Sequence, residues 1–308
     1  MGFWGTALYS GDFAVDLRAT IRAVARLPFD ADRLVEILYE TETGVANNPA
    51  DEEYTTFWLV LADQFARRGI VSDRVREKAL EIIGTGDDLA ALERLGMRPA
   101  EIRKRRRMLE QLRERIISPP VDRRGTTLKK PQPLLMETGD IIVYPTCRGK
   151  CINPYFASKE LDRQYTKDGP LPWMQDGWGA ALIIDCGRAF DFLAWYRPLT
   201  IIEARSERPS VESLRGAVLW KLETAGTCSQ AHFTKMELQK IGTLSIDAAK
   251  VKTVFRDLRA GISAAVSDIS LSNRLGVFSH TPAWAIPEPG RTAKGRSPTI
   301  IGVEQILL

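Results

Sequence analysis

Four cysteines and two histidines carry the most metal and nucleophile chemistry in this 308-residue chain. Cys147-x-x-x-Cys151, Cys186 and the pair Cys228-x-x-x-His232 could together supply four zinc ligands, since thiolate and imidazole are donors that zinc accepts. The spacing differs from a compact C-x-x-C knuckle. Cys186 also sits in an apolar run, where a free cysteine behaves as a small hydrophobe. Whether Cys147, Cys151, Cys186, Cys228 and His232 converge is left open. His232 and His280 alone exclude a three-histidine site and an H-E-x-x-H helix. His232 reads as a structural side chain, because no partner for a general base is visible.

Carboxylate pairs have a simpler explanation. Asp12 and Asp16 fall on one helical face, and Asp51, Glu52 and Glu53 gather at a helix start. The dipole of a helix favours negative charge at its N-terminus, which accounts for both groups. Gly84-Thr-Gly86 is followed by Asp87 and Asp88, which would repel a phosphate. No G-x-S-x-G elbow is present. The chain reads as non-catalytic, with no metal or cofactor assigned. An enzyme with an unrecognised site around Cys147, Cys151 or Asp176 stands as an alternative.

Charge is unevenly placed. Residues 101–130 hold eleven Lys or Arg and four Asp or Glu, a local +7 on a chain whose total is +4. Arg103, Lys104, Arg105, Arg106 and Arg107 form its centre. A solvated helix face is the first reading of such a run. Contact with nucleic-acid phosphates is the second, and it would need stacking aromatics that are not nearby. A partner with an acidic surface is the third.

The segment 146–177 is long and irregular yet rich in aromatics. A loop of that length inside a compact domain is usually functional or disordered, and its aromatics favour an ordered, exposed binding face. Tyr155, Trp173, Asp176 and Trp178 are the candidate partner-binding residues. Aromatic rings supply contact area with few torsions to freeze, and a carboxylate selects a basic partner. The rival reading is a lid, with both tryptophans closing a barrel core.

These residues are positioned by two kinds of pattern. Up to residue 117 the period is helical. Asp12, Asp30, Asp51, Ser72 and Asp87 or Asp88 can each start a helix, and Pro99 fits a first helical position. After residue 133, apolar β-branched and aromatic runs alternate with glycine and proline. Examples are Thr138-Gly-Asp-Ile-Ile-Val-Tyr-Pro145 and Trp178-Gly-Ala-Ala-Leu-Ile-Ile-Asp185. Between them, residues 118–133 are rich in proline and charge. The expected class is α+β. An α-helical bundle spans 1–117 and a linker 118–133. A domain over 134–308 holds a small curved β-sheet or barrel with packed helices. Ser210 is expected to cap a helix through Leu222, residues 233–246 to run as a strand, and Asp247 to cap a last helix. A C-terminal arm over 281–298 precedes a short strand.

Few cysteines imply a reducing compartment, read as cytoplasmic. The opening residues lack a basic signal-peptide region. No apolar run reaches the roughly 18 residues of a membrane span, so no membrane partner is expected. The oligomeric state is open.

Two stretches resemble known proteins. Met1-Gly-Phe-Trp-Gly-Thr-Ala-Leu-Tyr-Ser-Gly-Asp-Phe-Ala-Val-Asp16, with Phe57-Trp-Leu-Val-Leu-Ala62 and Val75-Arg-Glu-Lys-Ala-Leu-Glu-Ile-Ile83, resembles uncharacterised bacterial proteins that begin MG-x-WG. Thr138-Gly-Asp-Ile-Ile-Val-Tyr144, with Leu238-Gln-Lys-Ile-Gly-Thr-Leu244, resembles the barrel of immunity protein 26 of polymorphic toxin systems. The second resemblance implies a non-catalytic protein whose partner is a toxin. Residues 146–177 and the C-terminal arm depart from that pattern. Neither resemblance brings catalytic residues.

Overall fold

The computed structural model describes residues 5–120, 127–152, 161–162, 171–216, 218–223, 225–256, 269–274 and 300–308. The chain divides into two compact units, Met1–Lys130 and Pro131–Leu308.

The first unit is helical: α1 (Asp12–Val24), α2 (Ala31–Thr41), α3 (Thr43–Ala46), α4 (Tyr54–Ala66), α5 (Asp73–Thr85), α6 (Asp87–Arg94) and α7 (Pro99–Ile117). Local chemistry sets most boundaries. The Asp30 carboxylate accepts from the N–H of Arg33 at 2.8 Å, and the Ser72 hydroxyl accepts from Val75. Gly86, at φ +78°, ends α5 in a left-handed conformation that suits glycine. At α1 the cap position is Gly11, with no side-chain cap, and Asp12 is instead the first helical residue. α4 is buried at every position from Tyr54 to Phe65, as a helix apolar on nearly all sides requires. α1, α3, α5, α6 and α7 pack around it.

The second unit is built on a sheet. Its strands are β1 (Asp140–Cys147), β2 (Lys150–Cys151), β5 (Gly177–Ala189), β6 (Leu193–Ile201), β7 (Leu219–Leu222), β8 (Ala225–Thr227), β9 (Gln239–Thr243), β10 (Ile269–Arg274) and β11 (Ile300–Gly302). A separate two-residue pair joins β3 (Leu161–Asp162) to β4 (Leu171–Pro172). β1, β5 and β6 make an antiparallel centre. The outer edge of β1 is shared by β9 and β2, and that of β6 by β7 and β8. β11 extends β7, and β10 lies parallel to β8.

This sheet is open, and among the described residues it does not close into the barrel considered above. The physical reason lies in its two apolar faces. All eight residues of β1 and all nine of β6 are buried. Ile141, Val143, Leu182, Leu199 and Ile201 face one cluster, with Trp220, Phe255 and Ile306 packed against them. Ile142, Tyr144, Ile183, Ala194 and Tyr196 face another, covered by Met136, Met236 and Leu238. A sheet buried on both sides takes covering layers on both, whereas a small barrel has one interior.

Among the described residues, the helices after the sheet centre are α8 (Gln230–Lys235) and α9 (Ala248–Val254). α9 is capped by Asp247, which accepts from Ala249 and Lys250. The helix expected from Ser210 is a single 3-10 turn, Glu212–Leu214, and Leu219–Leu222 is a strand. Ser210 and Ser213 do exchange cap-like hydrogen bonds, but the left-handed Gly216 (φ +75°) stops the helix. Residues 233–246 split into the end of α8, a turn through Glu237 at φ +55°, and β9. Residues 281–298 lie outside the described residues.

Candidate functional site

The β1–β2 turn is made by Arg148 and Gly149, both left-handed, at φ 53° and 71°. That conformation is unfavourable for arginine. Asp176 compensates for it: its carboxylate accepts from the N–H of Arg148 and from Thr146 Oγ1 at 3.3 Å. Its own N–H donates to the Thr146 carbonyl at 2.9 Å. Asp176 is therefore a clamp holding the strand approaching β5 onto the turn. Just before it, Trp173 is half-buried and Met174 is 71% exposed. Just after it, Gly177 leaves no room for a side chain, since a Cβ would lie 2.7 Å from the Arg205 carbonyl. Trp178 is half-buried against the sheet core, with the Arg208 guanidinium 5.8 Å from its ring centre. Its backbone pairs with Arg205 in both directions. Trp173, Asp176 and Trp178 thus share one short segment, and Tyr155 lies outside the described residues.

The basic helix α7 behaves differently from a uniform charged face. Arg103, Lys104, Arg106 and Arg107 are exposed. Arg105 is only 1% exposed and grips Asp88 through Nε at 2.8 Å and a terminal nitrogen at 2.9 Å. Its other terminal nitrogen donates to the Ala7 carbonyl. Arg105 is therefore withdrawn from any surface contact, and the basic set is reduced to four. Spacing carried this signal: Arg105 falls on the stripe of Ile102, Leu109 and Leu112.

A second polar centre went unread in the sequence. Asp63, 1% exposed, lies within the apolar α4. A carboxylate so placed needs partners, because an unpaired buried charge costs far more than any one apolar contact returns. Asp63 has four: the Tyr9 hydroxyl, Gln64 Nε2, Arg67 Nε at 2.7 Å and a terminal nitrogen of Arg115. Burial, then the hydrogen bond to Asp63, hold the Tyr9 hydroxyl well above the usual phenol range. Arg18 lies 4.9 Å over the Tyr9 ring. The visible signal was a single Asp-Gln pair inside a run of otherwise apolar helix.

None of the four cysteines forms a disulfide; Cys147, Cys151 and Cys228 are buried and Cys186 is half-buried. Cys151, Cys186 and Cys228 share one face of the sheet. Cys147 and Cys151 do not pair across the β1–β2 ladder, where Cys147 faces Lys150 and Cys151 faces Thr146. Among the described residues, no three His, Cys, Asp or Glu side chains are gathered to hold a metal. Burial pushes the Cys228 thiol up to about 12, so it is neutral and a poor nucleophile or ligand at ordinary pH. His232 lies in α8, whose start is capped by Ser229 accepting from the His232 N–H. No helix among the described residues is long and apolar enough to cross a membrane. No protein-family model, no curated protein and no solved structure matches this chain.

Proposed function

We propose that this chain is a non-catalytic cytosolic binding protein. In this reading it neutralises a protein partner by contact, in the manner of immunity proteins of toxin systems. The partner surface is the segment ending at Trp178. The observation that supports this best is the Asp176 clamp. Tying Asp176 to Arg148 and Thr146 fixes the backbone beside Met174, which is 71% exposed, and beside half-buried Trp173. Large side chains on a fixed backbone lose little freedom on binding, which is what makes a good anchor.

Co-expression with the product of the adjacent gene tests the proposal. The chain should restore growth that this product arrests, and Trp173→Asp should abolish the rescue without changing the melting temperature. A harmless neighbour, or arrest that persists beside the intact chain, overturns the immunity reading. Trp173→Ala that costs about 3–5 kcal/mol of stability would instead mark Trp173 as a core residue.

A second reading draws on the exposed Arg103, Lys104, Arg106 and Arg107 as a phosphate-binding stripe. Phosphate contacts release counterions, so such binding weakens steeply with salt. A duplex and single-strand titration at low salt that shows no binding removes this reading.

A further inference from the structure

In the first unit, a groove of about 630 Å³ lies between the end of α4, the start of α5 and the end of α7. Phe65, Ile70 and Val75 are buried beneath it. Two apolar side chains stand open at its margin: Val71 is 56% exposed and Ile117 60%. Exposed apolar surface gathered in a concavity is where a partner is usually buried.

The charge of the lining is one-sided. Arg67, Arg76 and Arg115 line the groove, and among the described residues no Asp or Glu does. Behind the wall, the single Asp63 carboxylate serves both Arg67 and Arg115. Outside it, Arg76 pairs with Asp73, whose side chain is 72% exposed. Two guanidinium groups sharing one carboxylate leave a net positive charge. Each guanidinium carries five N–H donors, and the Asp63 contacts occupy a minority of them. Asp63 also fixes where Arg67 and Arg115 stand, so their forks need little ordering when an anion arrives.

The groove is walled by α4, α5 and α7 together with the turn at 69–72 and the chain at 118–120. Among the described residues no strand lines it, so a docked segment finds no sheet edge to pair with and must satisfy its own backbone hydrogen bonds. We infer that this groove receives an acidic amphipathic helix of a partner protein. Its apolar stripe lies over Phe65, Val71 and Ile117, and its carboxylates meet Arg67, Arg76 and Arg115. A concave site favours a helix over a flat lipid surface, which would reach only the margin. The groove belongs wholly to the first unit, so its occupancy stands or falls separately from the Trp173 surface.

A phage-displayed library of randomised helical peptides, panned on the full chain, tests this. Enriched sequences should carry apolar residues at helical spacing flanked by Asp or Glu. A synthetic peptide of that sequence should lose about tenfold or more in affinity for Ile117→Glu and for Val71→Glu. Both positions are exposed, so the melting temperature should hold. No enrichment, enrichment of basic sequences, or unchanged affinity for both variants overturns the inference. Two other results overturn it as well. One is binding of phosphatidylglycerol vesicles that the same variants abolish. The other is a homodimer that Ile117→Glu dissociates, which would give the groove to a second copy of the chain.

Discussion

The two-bonded ion pair of Arg105 and Asp88 is almost fully buried, at 1% and 2% side-chain exposure. The energetics of such a pair are lopsided. Forming it contributes little net stability, because both charges must leave water. Removing one partner leaves the other buried without its counter-charge. Arg105→Ala should therefore destabilise the protein by about 3–5 kcal/mol in urea unfolding. The double variant Arg105→Met with Asp88→Leu should recover much of that loss. A single variant within about 0.5 kcal/mol of the parent, as at an ordinary surface site, would show Arg105 to be solvated. Cys228 gives a second forecast at this scale. Burial raises its thiol from an ordinary 9.0 to about 12. The folded state therefore holds the proton that the unfolded state releases between those values. The associated stability is complete below about pH 9 and is lost as pH rises towards 12. Comparing urea unfolding at pH 8 and above pH 10, Cys228→Ala should lose less stability than the parent. An equal loss in the two proteins would remove Cys228 as the cause. At pH 8 the native thiol should resist alkylation that the unfolded chain permits.

At the scale of elements, two glycines have opposite forecasts. Gly139 precedes β1 at φ +95°, and a Cβ there would lie 2.5 Å from the Leu244 carbonyl. Gly139→Ala should cost about 1–3 kcal/mol from backbone strain alone, read as a lowered melting temperature. Gly84 sits in α5 with open space around it, so Gly84→Ala should stabilise by about 0.4–1 kcal/mol. Equal effects of the two changes would sink the steric account. The helices of the first unit were legible because their ends are local events. Asp30, Ser72 and Pro99 act within one turn of their own position. The short elements after β6 were not. Val211, Leu214, Val218 and Leu222 have helical spacing, yet Leu219–Leu222 pairs with β6 and β11. Long-range pairing overrode a local pattern there, which is the usual fate of a weak propensity. The clamp at Asp176 was hidden for the same reason. Its partners, Thr146 and Arg148, lie about thirty residues away and meet it only through the sheet.

For the whole molecule, the change of period from helix to strand was readable, and so was the proline-rich stretch between the two patterns. What no local pattern revealed was that both faces of the sheet are covered. That depends on segments as distant as Met136 and Ile306. Along the chain, the division between the two units falls at Lys130–Pro131. The chain is tied to the first unit at Leu128, whose N–H donates to the Arg26 carbonyl at 2.7 Å. It is tied to the second at Gln132, which bonds the Phe192 carbonyl, the Ala194 N–H and Arg188 Nε. Each unit falls within the size of an ordinary domain, about 50–250 residues, and has its own core. Trypsin should therefore cut within residues 118–130 and release two fragments that each unfold cooperatively. Calorimetry of the intact chain should show two transitions. Arg105→Ala should lower only one of them, because Arg105 and Asp88 both lie in the first unit. Gly139→Ala should lower only the other. A single transition that both variants shift together would mean that the units fold as one cooperative body, and so would a linker that survives while α4 is degraded. The reciprocal pair of variants is what gives the test its force. Each carries its damage to one core, so the pattern of shifts reports coupling directly, whatever the absolute stability of either unit.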